Sequence, residues 1–349
     1  MKNMKKWSVV ASIKKMVLAC GLLAMVSPFV ACDDDDESAA PVEEKLNITV
    51  ILGTLGMGDN DYCSMVYEGV KRWENNPNVK MDIRIPKSIE HAVEIYHDWA
   101  KETVKDGKSL MVVANGEYAE MVNTEVLELK ENQQVLAFEM KLNKPLDGVH
   151  AFQSNHSGVA YLAGTMASLS GEACVVYAKR IPLLDNAGKH FNEGFKKYTS
   201  RDCKHVELAN DFSGFDMPDK VYELMKEHPG EFILPLAGFS NAGLYNYLQD
   251  CDKNNSENTI VGAGVDLDYN ALSPRIAFSY MINIDKALDQ HLNCWLEGKP
   301  WPNATFGLED GITEIRINPD FTKVGNVTKA ALEKMYKENF DEAAKKDMK

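Results

Sequence analysis

Six side chains that could hold a small ligand lie close to the ends of predicted strands. They are Asp59, Tyr62, Asn115, Phe239, Ser240 and Asp266. An aromatic ring can stack on a flat ring of a ligand, a contact worth about 1–3 kcal/mol. A carboxylate can accept hydrogen bonds from two neighbouring hydroxyl groups, as the acid after a strand does in dinucleotide-binding folds. Tyr62 and Phe239 are therefore the candidate stacking rings, and Asp266, followed by Asp59, is the candidate hydroxyl-binding acid.

Ser240 also permits a catalytic interpretation. The run GFSNA, which begins at Gly238, follows a predicted strand and opens a predicted helix, as the G-x-S-x-G nucleophile elbow does. Asp266 or Asp268, and then His291, would complete the chain order Ser, Asp, His. An alanine replaces the last glycine of the elbow, and His291 lies in a predicted helix. A serine hydrolase with Ser240 as nucleophile is therefore the alternative to a binding protein.

Composition and motif spacing argue against nucleic-acid binding, metal binding and cofactor binding. The formal net charge of −14, with scattered lysines, argues against nucleic-acid binding because phosphate backbones are repelled. The sequence contains no HExxH, CxxC or GxxxxGK motif, so it predicts neither a metal site nor a cofactor. Five cysteines follow Cys32, and an odd number leaves at least one thiol free or paired with another chain. A disulfide between Cys174 and Cys203 stays open at this point.

Apolar runs typical of buried strands alternate with helical segments through most of the chain. The runs are Leu46–Leu52, Val79–Ile85, Leu110–Ala114, Val135–Phe138, Val149–Phe152, Ala173–Tyr177, Lys204–Leu208, Phe232–Leu236 and Ile260–Val265. Strands separated by helices of about ten to fifteen residues predict parallel sheets with right-handed crossovers. Two series of similar length favour an α/β fold of two doubly wound lobes over a single barrel. In such sheets the ligand binds beyond the carboxyl ends of the strands.

The N-terminal segment has the character of an export signal. Lysines precede a short apolar run, Met16–Val30, which ends close to Cys32 and an acidic stretch. This order resembles a bacterial lipoprotein signal, with residues 1–31 as signal peptide and Cys32 as the lipidated residue that carries palmitate. Residues 32–45 would then form an acidic tether, similar to the signal that sends Bacteroidetes-type lipoproteins to the outer surface. The prediction is a lipid-anchored protein of the cell envelope, on the outer membrane rather than the inner one.

Five blocks of sequence, in the same order along the chain, resemble motifs of the basic membrane protein (BMP) family. These proteins are substrate-binding lipoproteins related to the purine nucleoside receptor A type. The blocks are Gly56–Gly69, Gly158–Ala167, His190–Phe195, Leu236–Gly243 and Gly262–Asp268. The resemblance covers about residues 47 to 320. It implies a type I periplasmic-binding-protein fold, in which two lobes joined by three crossovers close like a hinge on a ligand, most commonly a nucleoside.

Two positions depart from the family pattern and affect the expected ligand. Cys63 stands where the family has asparagine, and Ile282 stands where it has lysine. These changes predict a more apolar pocket, suited to a small ring-bearing nutrient, with a nucleoside as the first choice.

The sequence therefore predicts a monomeric solute-binding protein without catalytic activity. It would deliver its ligand to a membrane transporter, either an ABC permease or an outer-membrane importer, with a ligand-binding sensor as a further alternative. The predicted N-terminal lobe is 46–152 plus about 270–300, and the predicted C-terminal lobe is 153–269 plus about 301–349.

Overall fold

The computed structural model of the chain describes residues 45–54, 56, 62–103, 107–254 and 256–348. The predicted signal peptide, Cys32 and Asp59 lie outside these residues. The strands are β1 (Leu46–Ile51), β2 (Val79–Arg84), β3 (Lys108–Val113), β4 (Gln133–Phe138), β5 (Val149–Ser154), β6 (Ala173–Tyr177), β7 (Lys204–Glu207), β8 (Phe232–Leu236), β9 (Val261–Asp266), β10 (Ile276–Ile282), β11 (Thr305–Phe306), β12 (Thr313–Ile317), β13 (Lys323–Val324) and β14 (Val327–Thr328). The α-helices are α1 (Tyr62–Lys71), α2 (Ile89–Lys101), α3 (Ala119–Thr124), α4 (Ser157–Ala167), α5 (Pro182–Thr199), α6 (Pro218–Met225), α7 (Asn241–Lys253), α8 (Ile284–Leu296) and α9 (Lys329–Asp347).

Two six-stranded sheets repeat one topology. The first has the order β11-β5-β4-β3-β1-β2, and the second has the order β12-β10-β9-β8-β6-β7. All neighbouring strands are parallel except β12, which runs antiparallel to β10. The central strands are apolar runs buried on both faces, which is the pattern that parallel sheets covered by helices require. The α/β fold of two doubly wound lobes is thus confirmed.

The chain passes between the sheets three times. It leaves the first sheet after β5, returns after β10 through α8 to β11, and crosses again from β11 to β12. Two strands lie on the other side of the predicted boundaries: β10 belongs to the second sheet, and β11 to the first. The reason is pairing, because β10 joins β9 and β12, and β11 extends β5. Sequence periodicity carries no information about such partners.

Helix α4 forms the centre of the second lobe and is buried along its whole length. It packs closely against α5 because two glycines let the backbones approach. A Cβ on Gly164 would lie 2.0 Å from the Phe191 carbonyl oxygen, and a Cβ on Gly194 would lie 2.1 Å from the Tyr161 carbonyl oxygen.

None of the helices in the described residues is long and apolar enough to cross a membrane.

Gly164→Ala is expected to force the α4 and α5 backbones apart. We predict a loss of about 3 kcal/mol in the free energy of unfolding, at the upper end of the usual cost of overpacking. Urea denaturation of the purified protein measures it. The control is Gly230→Ala, where the nearest atom to an added Cβ would be Thr259 Oγ1 at 3.4 Å. Equal stability of the Gly164→Ala variant and the parent would show that the two helices are not held at this distance.

Candidate functional site

A cleft of about 1430 Å³ lies between the two lobes. Its walls are the loops that follow the carboxyl ends of the strands in both sheets, as the doubly wound topology requires. The first lobe contributes residues after β1, β3 and β4, and the second contributes residues after β8 and β9. The volume exceeds the roughly 300–1,000 Å³ typical of a pocket around one small ligand. The cleft therefore has room for a ligand and for movement of the lobes towards it.

Four of the predicted site residues line this cleft. They are Tyr62 and Asn115 from the first lobe, and Phe239 and Asp266 from the second. All four are half-buried. Asn115 is held in place because its side-chain oxygen accepts a hydrogen bond from the Glu117 amide at 2.9 Å. The two candidate rings thus belong to opposite lobes.

The backbone of Asp266 is strained. Its φ of +73° lies in the left-handed region, which costs a residue other than glycine about 1–3 kcal/mol. Strain of this kind persists where the surrounding structure holds a residue in place, and here it sets a carboxylate in the lining of the cleft, at the end of β9.

Ser240 is not among the residues that line the cleft, and its side chain has a structural task. It is fully buried, its hydroxyl donates to the Gly214 carbonyl at 2.7 Å, and it accepts from the Met217 amide at 2.6 Å. These bonds join the start of α7 to the loop before α6. The sequence predicts that Ser240 contacts the ligand, whereas the structure places its side chain outside the cleft, bound to the backbone. The Ser240 hydroxyl makes no capping hydrogen bond to the first turn of α7, and the Asn241 side-chain oxygen accepts from the Ala237 amide at 3.0 Å, which fixes the loop before the helix.

The serine hydrolase alternative is wrong because the side chains that it needs do not meet. His291 lies in α8, which packs on α1 of the first lobe, and its Nδ1 is 2.7 Å from the Ala287 carbonyl oxygen of its own helix. Its ring packs among the aromatic side chains of Phe138, Phe152 and Trp301. Within the described residues, the hydrogen-bond partners of the Ser240 hydroxyl are the Gly214 carbonyl and the Met217 amide, and neither is a histidine.

A buried chain of four polar side chains crosses the floor of the cleft, and the sequence analysis missed it. Tyr280, His156, Ser154 and Glu139 are at most 7% exposed. Ser154 Oγ donates its only proton to Glu139 Oε1 at 2.6 Å, so His156 Nε2, 3.1 Å away, must donate to Ser154. His156 Nδ1 is then the acceptor for the Tyr280 hydroxyl at 2.8 Å. The chain has one direction, from Tyr280 in the second lobe to Glu139 in the first.

Burial sets the protonation of this chain. It lowers the pKa of His156 to about 4, which agrees with the neutral imidazole that the hydrogen bonds require. It raises the pKa of Glu139 to about 7; the hydrogen bonds from Ser154 oppose this shift, and the negative charge of Asp266 adds to it. Below that pH, Glu139 is a neutral carboxyl group that can offer a proton into the cleft. Glu139 directly follows β4, so the rule that selected Asn115 and Asp266 could have found it.

Helix α9 connects two of the three crossover segments, close to these four hydrogen-bonded side chains. Asp347, near the end of α9, accepts hydrogen bonds from the Gly158 amide at 2.7 Å and from the Leu308 amide at 2.8 Å. Gly158 lies at the first crossover and Leu308 at the third. The C-terminal residues therefore take part in the hinge region as well as in the second lobe.

Architecture and site together define a two-lobe solute-binding protein of type I. Among solved structures, an ABC transporter solute-binding protein from Aeropyrum pernix K1 aligns with a TM-score of 0.64 at 14% identity, over 85% of this chain and 86% of that one. A 5-methylthioribose transporter solute-binding protein from Thermotoga lettingae aligns with a TM-score of 0.56 at 11% identity, over 84% of this chain and 99% of that one. At such low identity these likenesses show the fold alone.

The chain belongs to the Bmp family of ABC transporter substrate-binding proteins, described as PnrA-like, which matches residues 48–349. The resemblance found in the sequence blocks is thereby confirmed. No curated protein matches the chain.

Glu139→Gln is expected to change how stability depends on pH. The folded protein holds the Glu139 proton up to about pH 7, whereas the unfolded chain releases it near its ordinary pKa of 4.5. The contribution of this carboxyl group is therefore complete below pH 4.5 and is lost as the pH rises to 7. Relative to the parent, the glutamine variant should gain up to about 3 kcal/mol in unfolding free energy over that interval.

Urea denaturation from pH 4.5 to 8 measures this difference. Glutamine keeps the oxygen that accepts from Ser154, so the hydrogen-bonded chain stays complete. The matched control is Glu120→Gln, which changes an exposed carboxylate of the same cleft. A constant difference between the Glu139→Gln variant and the parent across this range would contradict a buried Glu139 that is neutral at low pH.

Proposed function

We propose that the protein is a lipid-anchored receptor that captures a nucleoside, or a closely similar ring-bearing nutrient, and presents it to a membrane transporter. The observation that carries the proposal is the pair of rings, Tyr62 and Phe239, which line one cleft from opposite lobes. A base between them would contact both lobes at once. Binding would then favour the closed arrangement, because only that arrangement offers both contacts.

The polar lining supports a ligand that brings hydroxyl groups rather than phosphate. Five acidic side chains line the cleft: Glu117, Glu120, Glu139, Asp216 and Asp266. Two lysines face them, and one of these, Lys346, is 3.1 Å from Glu193. A phosphate group would meet net negative charge, whereas a ribose diol can donate hydrogen bonds to a carboxylate such as Asp266. This balance favours a nucleoside over a nucleotide.

The apolar substitutions fit the same ligand class. Cys63 and Ile282 both line the cleft, so the two departures from the family pattern lie at the site itself. They replace an amide and an ammonium group by apolar side chains. The base would then be bound mainly through its ring faces and less through its polar edge.

We further propose that Cys32 carries the lipid anchor and that residues 32–45 form the tether, with the protein on the outer membrane and exposed at the cell surface. The transporter would be an ABC permease, as the family suggests, or an outer-membrane importer. A sensor would need the same cleft, so the gene neighbourhood separates the two roles: an adjacent permease favours uptake, and an adjacent kinase favours sensing.

A thermal-shift screen of purified residues 38–349 tests the ligand class. Nucleosides, free bases, nucleotides, vitamins and sugars are compared at equal concentration. A ligand at a hundred times its dissociation constant adds about 2.7 kcal/mol to the unfolding free energy. We expect nucleosides to raise the melting temperature and the matching nucleotides to have little effect.

Asp266→Asn and Phe239→Ala are each expected to weaken binding of the best ligand by at least about tenfold, which corresponds to about 1.4 kcal/mol. The first removes a charged acceptor while asparagine still tolerates the left-handed backbone, and the second removes one stacking ring. Isothermal titration calorimetry measures the change. The matched control is Asp268→Asn, two residues further on, where the carboxylate pairs with Arg316 at 3.0 Å and is not part of the cleft lining. Unchanged affinity in both site variants would reject this assignment.

Cys32→Ser is expected to abolish membrane attachment, because the serine cannot carry the acyl chains that insert into the bilayer. Fractionation of cells that express the full chain, with metabolic labelling by radioactive palmitate, follows both the location and the lipid. The control is Cys20→Ser, which removes the other cysteine of the N-terminal segment. Label retained by the Cys32→Ser protein would place the lipid elsewhere.

A further inference from the structure

Three potential metal ligands meet at the end of the second lobe that is remote from the cleft. Cys174, His228 and Glu231 each offer one ligand atom, and these atoms lie within 4.8 Å of one another. All three side chains are buried. Cys174 is near the start of β6, and Glu231 directly precedes β8, whereas the cleft lies at the opposite ends of the strands.

A tight turn positions two of the ligands. His228, Pro229, Gly230 and Glu231 form a reverse turn, in which the Glu231 amide lies 3.4 Å from the His228 carbonyl oxygen. The turn is pinned to the neighbouring segment because the Thr259 amide donates to the Pro229 carbonyl and the Val261 amide donates to the Glu231 carbonyl, each at 3.1 Å. The side chains of the first and last turn residues are thereby held beside Cys174.

Two buried atoms of this cluster have no hydrogen-bond partner among the residues that the structure describes. They are His228 Nδ1 and Glu231 Oε2, which lie 3.0 Å apart without the geometry of a hydrogen bond. The other oxygen of Glu231 binds the ammonium group of Lys204 at 2.5 Å, so Lys204 offsets part of the buried negative charge. An unsatisfied polar atom in a buried site costs about 1–3 kcal/mol, and a cation between these atoms would remove that cost.

We propose that Cys174, His228 and Glu231 form a binding site for one zinc ion. Thiolate, imidazole and carboxylate are the three side-chain ligands that Zn²⁺ accepts, at about 2.0–2.3 Å each, in tetrahedral sites. In a tetrahedral arrangement at those bond lengths, neighbouring ligand atoms lie roughly 3.3–3.8 Å apart. The present cluster, whose ligand atoms lie within 4.8 Å of one another, would therefore contract on binding the ion. The Cys174 Sγ–H bond breaks as the sulfur–zinc bond forms, the proton leaves to solvent, and a water molecule completes the fourth position.

The ion would stabilise the end of the second lobe that is remote from the cleft. It would join β6 to the turn before β8, two strands whose far ends lead to the cleft. This inference is independent of the proposed ligand, because the two sites lie at opposite ends of the same sheet.

Metal titration of the purified protein, first stripped with a chelator, tests the site. Cobalt(II) serves as a spectroscopic probe, because a cobalt–thiolate bond gives a near-ultraviolet charge-transfer band, and Zn²⁺ is added in competition. We expect one Co²⁺ per chain with that band, its displacement by one Zn²⁺ with a dissociation constant of about 1 µM or lower, and a rise in melting temperature with Zn²⁺.

Variants assign the ligands. Cys174→Ser, His228→Gln and Glu231→Gln should each weaken zinc binding by more than about 100-fold, and Cys174→Ser should abolish the charge-transfer band. The matched control is Cys251→Ser, which changes another buried free thiol of the same lobe and should leave the band intact. Absence of the band in the unmutated protein overturns the proposal whether or not the variants fold. A band that persists in Cys174→Ser, or disappears in Cys251→Ser, also overturns it.

Discussion

Parallel strands impose the constraint on which the rest of this structure depends. Every strand of a parallel sheet must be reached by a crossover, so all the carboxyl ends lie along one edge and the loops there share one surface. Here two sheets with the same strand order face each other along those edges. The cleft is the space between two such edges, and its lining is drawn from short loops that are far apart in the chain. The ligand site thus follows from the way that the strands are connected.

The two lobes meet at the crossovers, and buried hydrogen bonds connect them there at the floor of the cleft. Four hydrogen-bonded side chains, from Tyr280 through His156 and Ser154 to Glu139, join the lobes at the floor of the cleft. Such bonds can tolerate a change of angle, but their burial keeps His156 neutral and raises the pKa of Glu139 to about 7. The carboxyl group is therefore sensitive to any charge brought into the cleft. Asp266 already exerts this influence from the other lobe.

The second lobe uses both ends of its sheet. Its carboxyl edge faces the cleft, and its amino edge holds the buried group of Cys174, His228 and Glu231. The same physical rule applies at both ends: a polar atom removed from water needs a partner. At the cleft the partners are neighbouring side chains. At the opposite edge Lys204 supplies one to Glu231, and in the described part of the chain an imidazole nitrogen and a carboxylate oxygen remain without a hydrogen bond.

Local signals in the sequence determined the elements, because burial and periodicity act over a few residues. The strand Phe232–Leu236 has the predicted bounds, and Ser88 caps α2 by accepting from the His91 amide, a local contact between residues three apart. The family motifs and the rule about strand ends also led to Tyr62, Asn115, Phe239 and Asp266 at the cleft. Only the tertiary structure decided which strands pair, that Ser240 serves the backbone, and which buried polar groups meet. Those outcomes depend on contacts between residues that are distant in the chain, and no local pattern records them.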